Sequence, residues 1–92
     1  MKLNEAIDRL DSLDPESTIY AAKPWKHESE VWVGVEPEEG GLPEEAKVRG
    51  LDYFLEVFIA QEFMEDWTAS LGRQPSLEEK CDRIIHYASF DA

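Results

Sequence analysis

The sequence predicts an α+β fold, in which a small antiparallel sheet of about three strands packs with an N-terminal helix and two C-terminal helices. Apolar residues recur at spacings of three and four near both ends of the chain, and β-branched and aromatic residues are concentrated between them. Prolines and glycines separate these segments. Because the chain has only 92 residues, of which 42% are apolar, we expect one compact domain over residues 1–92.

The first predicted element is an amphipathic helix over about residues 3–13. Asp14 ends it, because a residue that precedes a proline, here Pro15, is disfavoured in helical conformation. Two short segments rich in β-branched and aromatic residues follow, at 18–21 and 31–35. A polar connection joins them, so we predict that they form a β-hairpin.

The middle of the chain is predicted to be an exposed loop followed by a strand. Residues 36–45 contain five acids, two prolines and two glycines, a composition typical of turns. Within this stretch, Pro43 is a suitable first residue for a short helix that Gly50 would end. Apolar residues then alternate over 51–58, which predicts a strand buried mainly on one face, the alternative being the start of a long helix.

Two helices are predicted at the C-terminal end, over about residues 59–71 and 77–89. Gly72 follows the first of them and is a plausible residue for its C-terminal cap. Ser76 and Glu79 have the spacing of a capping box, in which each side chain binds the other residue's backbone N–H.

The charge is large and unevenly distributed. With 21 acids and 9 bases the net charge is −12, which argues against nucleic acid or an anionic membrane as a direct partner. Residues 28–45 contain seven acids and no Lys or Arg, and residues 50–72 contain five more, again without a base. The acids that we select as candidates for partner binding are Glu28, Glu30, Glu36, Glu38, Glu39, Glu44, Glu45, Glu62, Glu65 and Asp66.

Such segregation costs stability, because like charges at helical spacing, as in Glu62, Glu65 and Asp66, repel each other by roughly 0.2–0.5 kcal/mol per pair. This cost favours a surface directed at a cationic partner over the alternative that the acids serve only solubility. Trp25 and Trp32 are candidate apolar anchors for the same partner. Trp32 is expected on the sheet face opposite its valine neighbours, where it belongs to the core if helices cover that face.

Residues that could carry catalysis or bind a metal are few, so we predict no enzyme, no metal site and no cofactor. Cys81 falls on an apolar helical stripe, where a buried role is favoured over that of a nucleophile. Asp82 and His86 are four residues apart and could face one ion, but such a pair is more often a hydrogen bond on a helix surface. A small enzyme or ligand-binding domain that uses Asp52, Glu56 and His86 in a cleft is the alternative.

The order of these features resembles a family of small acidic bacterial proteins of unknown function. The resemblance rests on Leu13-Asp14-Pro15 before an aromatic strand, on the acidic loop with its prolines and glycines, and on the last helix, which begins Ser76-Leu77-Glu78-Glu79-Lys80 and ends Tyr87-Ala88-Ser89-Phe90-Asp91-Ala92. It implies no catalytic residue. In size and acidity the chain is also similar to immunity proteins, antitoxins and phage-encoded inhibitors, including anti-CRISPR proteins.

The sequence thus predicts a non-enzymatic inhibitor or immunity-type protein that presents an acidic surface to a basic partner. Nucleases and nucleic-acid-binding complexes have basic grooves, which an acidic protein can occupy in place of phosphates. An adaptor or assembly subunit anchored by Trp25 and Trp32 is a further alternative. The chain has neither an apolar run of signal-peptide length at its start nor 18 consecutive apolar residues, so we expect a cytoplasmic protein.

Overall fold

The computed structural model describes residues 1–91, so Ala92, the last residue of the predicted domain, lies outside the described residues. It confirms an α+β fold with a three-stranded antiparallel sheet, an N-terminal helix and two C-terminal helices. The helices are α1 (Leu3–Asp8), α2 (Glu44–Arg49), α3 (Val57–Leu71) and α4 (Leu77–Phe90). The strands are β1 (Thr18–Ala21), β2 (Val31–Gly34) and β3 (Asp52–Glu56).

The first helix is shorter than predicted, because α1 ends at Asp8 and a separate 3-10 turn covers Leu10–Ser12. The side chain of Gln61, on α3, donates hydrogen bonds to the carbonyl oxygens of Leu10 (3.0 Å) and Leu13 (3.2 Å). The Leu10 carbonyl also accepts the Leu13 N–H at 3.1 Å, so the Gln61 side chain ties the end of this 3-10 turn to α3.

The sheet has the strand order β2-β1-β3, and β1 pairs antiparallel with both neighbours. The predicted hairpin is confirmed, with Tyr20 opposite Trp32. On the other side, Ile19 pairs with Leu55 and Tyr20 with Tyr53, so a β-bulge leaves Phe54 without a partner in the register.

The bulge overturns the simple alternation predicted for residues 51–58. Phe54 and Leu55 are both buried although they are consecutive, whereas Tyr53 is 43% exposed. The strand also ends earlier than predicted, because α3 begins at Val57 rather than at residue 59. The structure therefore contains both a strand and a long helix, joined directly at Glu56.

Each face of the sheet has its own core. On the first face, Ile19, Ala21 and Val31 pack with apolar residues of α1, α3 and α4. On the second face, Tyr20 packs with Leu51 and with Ala46 of α2. The partly buried residues that complete this smaller core are Ala22, Trp32 and Leu42.

Three of the predicted helix ends are confirmed. Gly50 and Gly72 follow α2 and α3 in the left-handed conformation, with φ values of 70° and 68°. The Ser76 hydroxyl accepts the Glu79 N–H at 3.2 Å, and the Glu79 carboxylate accepts the Ser76 N–H at 2.9 Å. Arg73 also binds this carboxylate through both terminal nitrogens, and together these contacts lower the pKa of Glu79 to about 2.

We predict that Gly34→Ala destabilises the protein, because the Trp32 indole lies directly over Gly34. A Cβ atom at position 34 would lie 2.3 Å from Cη2 of Trp32, so the indole would have to move off its contact with Tyr20. We expect a loss of about 1–3 kcal/mol in the free energy of unfolding, measured with urea. The same substitution in a Trp32→Leu background serves as the control, and an equal loss there would show that the indole is not the cause.

Candidate protein-binding surface

The structure exposes all ten acids that the sequence selects as candidates for partner binding. They belong to the β1–β2 connection, the segment between β2 and β3, and α3. The exposed acids are Glu28, Glu30, Glu36, Glu38, Glu39, Glu44, Glu45, Glu62, Glu65 and Asp66.

Two of these carboxylates are neutralised by the chain itself, through Arg49. Its guanidinium lies 3.0 Å from the Glu45 carboxylate and 3.7 Å from that of Glu30, which also lies 3.6 Å from the N-terminal amine. The other candidate acids make no ion pair within residues 1–91. Their charge is therefore available to a partner.

The acidic segment after β2 folds back across one end of the sheet. The turn at Pro37 is closed by the Gly40 N–H, which donates to the Pro37 carbonyl at 3.0 Å. Before this turn, the Glu36 carboxylate accepts a hydrogen bond of 3.3 Å from the hydroxyl of Thr18 on β1. Thr18 also pairs in register with Glu56 on β3. One acid from residues 28–45 and one from residues 50–72 therefore lie at the same end of the sheet.

Seven of the candidate acids lie on two surfaces rather than one, and Glu28 belongs to neither, since it lines a groove of the β1–β2 connection with Lys23 and Lys26. The first, which we call the loop surface, belongs to the side of the second core and comprises Glu36, Glu38, Glu39 and Glu44. The second, the helix surface, belongs to α3 on the opposite side of the sheet and comprises Glu62, Glu65 and Asp66. Glu65 lines a groove of about 360 Å³ together with Asp11 and Lys80, so a base accompanies the acids there. Bases also lie near the loop surface, since Lys47 and Arg49 are exposed in the last turn of α2.

Both candidate tryptophan anchors pack within the molecule. The Trp25 indole N–H donates to the Ala21 carbonyl at 3.2 Å, and its ring meets Phe54 edge-on at 4.9 Å. Trp32 faces the second core, on the side of the sheet opposite its valine neighbours as predicted, and α2 helps to cover that core. Their contacts are those of half-buried packing residues, so we do not include them in the binding surface.

The three residues of the enzyme alternative occupy separate places. Asp52 and Glu56 stand at opposite ends of β3. Glu56 lines an open groove of about 570 Å³ with Pro15, Glu16, Ser17 and Phe58, which does not include Asp52 or His86. The His86 ring on α4 lies 4.9 Å from that of Phe90. Asp52, Glu56 and His86 therefore do not line a common cleft, as a small enzyme or ligand-binding domain that used them would require.

Asp82 does not use the partner that sequence spacing suggests. Its carboxylate lies 2.7 Å from Nε2 of His27, which is 55 residues away in the chain, whereas Nδ1 of His86 lies 3.4 Å from the Arg83 guanidinium. The contact joins the β1–β2 connection to α4. No group of three His, Cys, Asp or Glu side chains within the described part of the chain is arranged to hold a metal ion.

The Cys81 thiol is fully buried in the larger core. Burial, with smaller contributions from the negative charges of Asp82 and Asp8, raises the pKa of this thiol to about 11. The thiolate, which is the nucleophilic form, is therefore scarce at neutral pH. Cys81 acts as a small apolar core residue.

The raised pKa predicts that Cys81 makes stability depend on pH in the alkaline range. The unfolded thiol titrates near pH ~8.5, so its contribution is fully present below that pH and is lost as the pH rises towards 11. Between these pH limits we expect the free energy of unfolding of the wild type to fall by about 2–3 kcal/mol more than that of Cys81→Ala. Urea unfolding at several pH values measures this, and parallel pH profiles for the two proteins would refute it.

Comparison with protein-family models found no match, and comparisons with curated proteins and with solved structures also found none. The resemblance to a family of small acidic bacterial proteins therefore stays a prediction. None of the helices in residues 1–91 has the length and apolar character needed to cross a membrane.

Proposed function

We propose that this chain is a non-enzymatic, cytoplasmic protein that binds and inhibits a basic partner, such as a nuclease or a nucleic-acid-binding complex. The observation that carries the proposal is the loop surface, whose carboxylates are exposed and form no ion pair within the described residues. A basic groove that normally binds phosphates is electrostatically complementary to such a surface.

The loop is fixed at both ends, which supports a binding role. It starts at β2, and at its other end Leu42 packs against the second core and Pro43 is buried. Between these points the turn at Pro37 presents Glu38 and Glu39 to solvent. A surface held in position loses less conformational entropy when it binds than a free acidic tail would.

Two double variants that reverse the charge of acidic residues test whether the acids serve partner binding or only solubility. Glu38→Lys/Glu39→Lys alters the loop surface, and Asp8→Lys/Asp11→Lys makes the same change of net charge at exposed positions of the N-terminal segment. Glu44 and Glu45 are better left unchanged, because they form the first turn of α2 and Glu45 pairs with Arg49. We expect either double variant to change the free energy of unfolding by less than about 0.5 kcal/mol.

The binding measurement starts with capture of partners from a bacterial lysate on the immobilised protein, followed by kinetics with the purified partner. We expect a basic partner, and we expect the loop variant to bind it with an on-rate about tenfold slower at low ionic strength. The Asp8/Asp11 variant should bind at nearly the wild-type rate. An equal decrease in the on-rate of both variants would show that the net charge, and not the loop surface, determines the rate. Binding that does not change with salt concentration would contradict the proposal.

A further inference from the structure

The hydroxyl of Tyr20 is a buried polar group without a partner. Tyr20 is 1% exposed, and its hydroxyl makes no hydrogen bond to any of residues 1–91. An unpaired buried hydroxyl costs stability, and native proteins leave few of them without a reason. The position points to a polar group that the free chain does not supply.

The surroundings of this hydroxyl are acidic. Thr18, Tyr20 and Glu56 share the second face of the sheet by their register, and Thr18 donates its own hydrogen bond to Glu36. Burial, and after it the negative charge of Glu36, raises the pKa of Tyr20. The nearby Thr18 hydroxyl lowers this pKa, although it does not meet the distance and angle of a hydrogen bond to the Tyr20 oxygen, and its own proton goes to Glu36. The phenol is therefore neutral at pH 7 and retains a proton to donate.

Aromatic rings flank the same place. The Tyr53 ring is edge-on to that of Tyr20 at a centroid distance of 6.5 Å, and its residue is 43% exposed. Neither Glu36 nor Glu56 forms an ion pair in the part of the chain that the structure describes. Two uncompensated carboxylates, a phenol oxygen and an accessible aromatic ring are the groups that bind a flat organic cation.

We propose that Glu36, Glu56 and Tyr20 form a subsite for an arginine side chain of the basic partner. A guanidinium group has five N–H donors in one plane, so it can donate to both carboxylates and to the Tyr20 oxygen while its face contacts Tyr53. A lysine ammonium lacks this planar array. The inference rests on the proposed function and adds to it the residue type that the partner inserts.

Binding requires a local movement, since the Tyr20 hydroxyl is closed to solvent in the free protein. Glu36 is exposed and held to Thr18 by one long hydrogen bond of 3.3 Å, so it is the neighbour that can move at least cost. When Glu36 turns towards the guanidinium, the Tyr20 hydroxyl can donate to its carboxylate and accept from the cation. Both the buried hydroxyl and the two acids are then satisfied.

The test is an NMR titration of the isotope-labelled protein with an acetylated, amidated Gly-Arg-Gly peptide at low ionic strength. Two control peptides replace arginine by lysine or by citrulline, which is nearly isosteric but uncharged. We expect saturable shifts at Thr18, Tyr20, Tyr53 and Glu56 with the arginine peptide, weaker binding of the lysine peptide and no saturation with citrulline. Equal binding of all three peptides, or shifts confined to other residues, would overturn the proposal.

Variants test each group separately. Tyr20→Phe removes only the hydroxyl, so we expect unchanged or higher stability together with about fivefold weaker binding of the arginine peptide. Glu36→Gln/Glu56→Gln should weaken binding about tenfold or more, while Asp8→Asn/Asp11→Asn, with the same change of charge at exposed positions outside the loop surface, should weaken it less than about twofold. A loss of stability in Tyr20→Phe would show that the hydroxyl already has a partner, and would overturn the proposal.

The subsite and the proposed function fail in different ways. If the arginine peptide binds at Tyr20 but no basic partner is captured, the subsite stands and the inhibitor function does not. If a basic partner binds in a salt-dependent manner and Glu36→Gln/Glu56→Gln leaves its affinity unchanged, the function stands and the subsite is refuted.

Discussion

The central position of β1 is the constraint on which the rest of the structure depends. Its four residues, Thr18–Ala21, are all buried, and because side chains alternate along a strand they face opposite sides of the sheet. Ile19 and Ala21 therefore require one apolar cover and Tyr20 requires another. A chain of 92 residues must form two cores from one sheet, and it does so unequally.

The unequal cover explains where the polar groups collect. Three helices pack on the first face, whereas the second has the six-residue helix α2 together with Leu42. On this second face, Ala46 of α2 and Leu51 pack against Tyr20. Thr18 lies at the other end of β1, where it contacts Glu36 and pairs with Glu56. Glu36 and Glu56 thus lie at the end of the second face that is farther from the packing residues of α2.

Local features were predictable from the sequence, and features that depend on distant residues were not. The capping box of α4 and the glycines after α2 and α3 need only a few neighbouring residues, and the structure confirms them. The segment after α1 is bound by the side chain of Gln61, 48–51 residues away, and the partner of Asp82 is 55 residues away. The division of the acids into two surfaces depends on which sheet face each helix covers, and local spacing carries no signal of that choice.

Tyr20 distinguishes the binding interpretation from the view that the acids serve only solubility. Solubility accounts for exposed carboxylates anywhere on the surface, including those of the helix surface, but it gives no reason for an unpaired hydroxyl beneath them. A phenylalanine would fill the same space in the second core without the cost of desolvating that hydroxyl. The chain bears this cost at the place where Glu36 and Glu56 meet, and a ligand that satisfies all three groups accounts for both features at once. Departures from local optimality are expected at functional sites, so the unpaired hydroxyl supports the proposed arginine subsite at this end of the sheet.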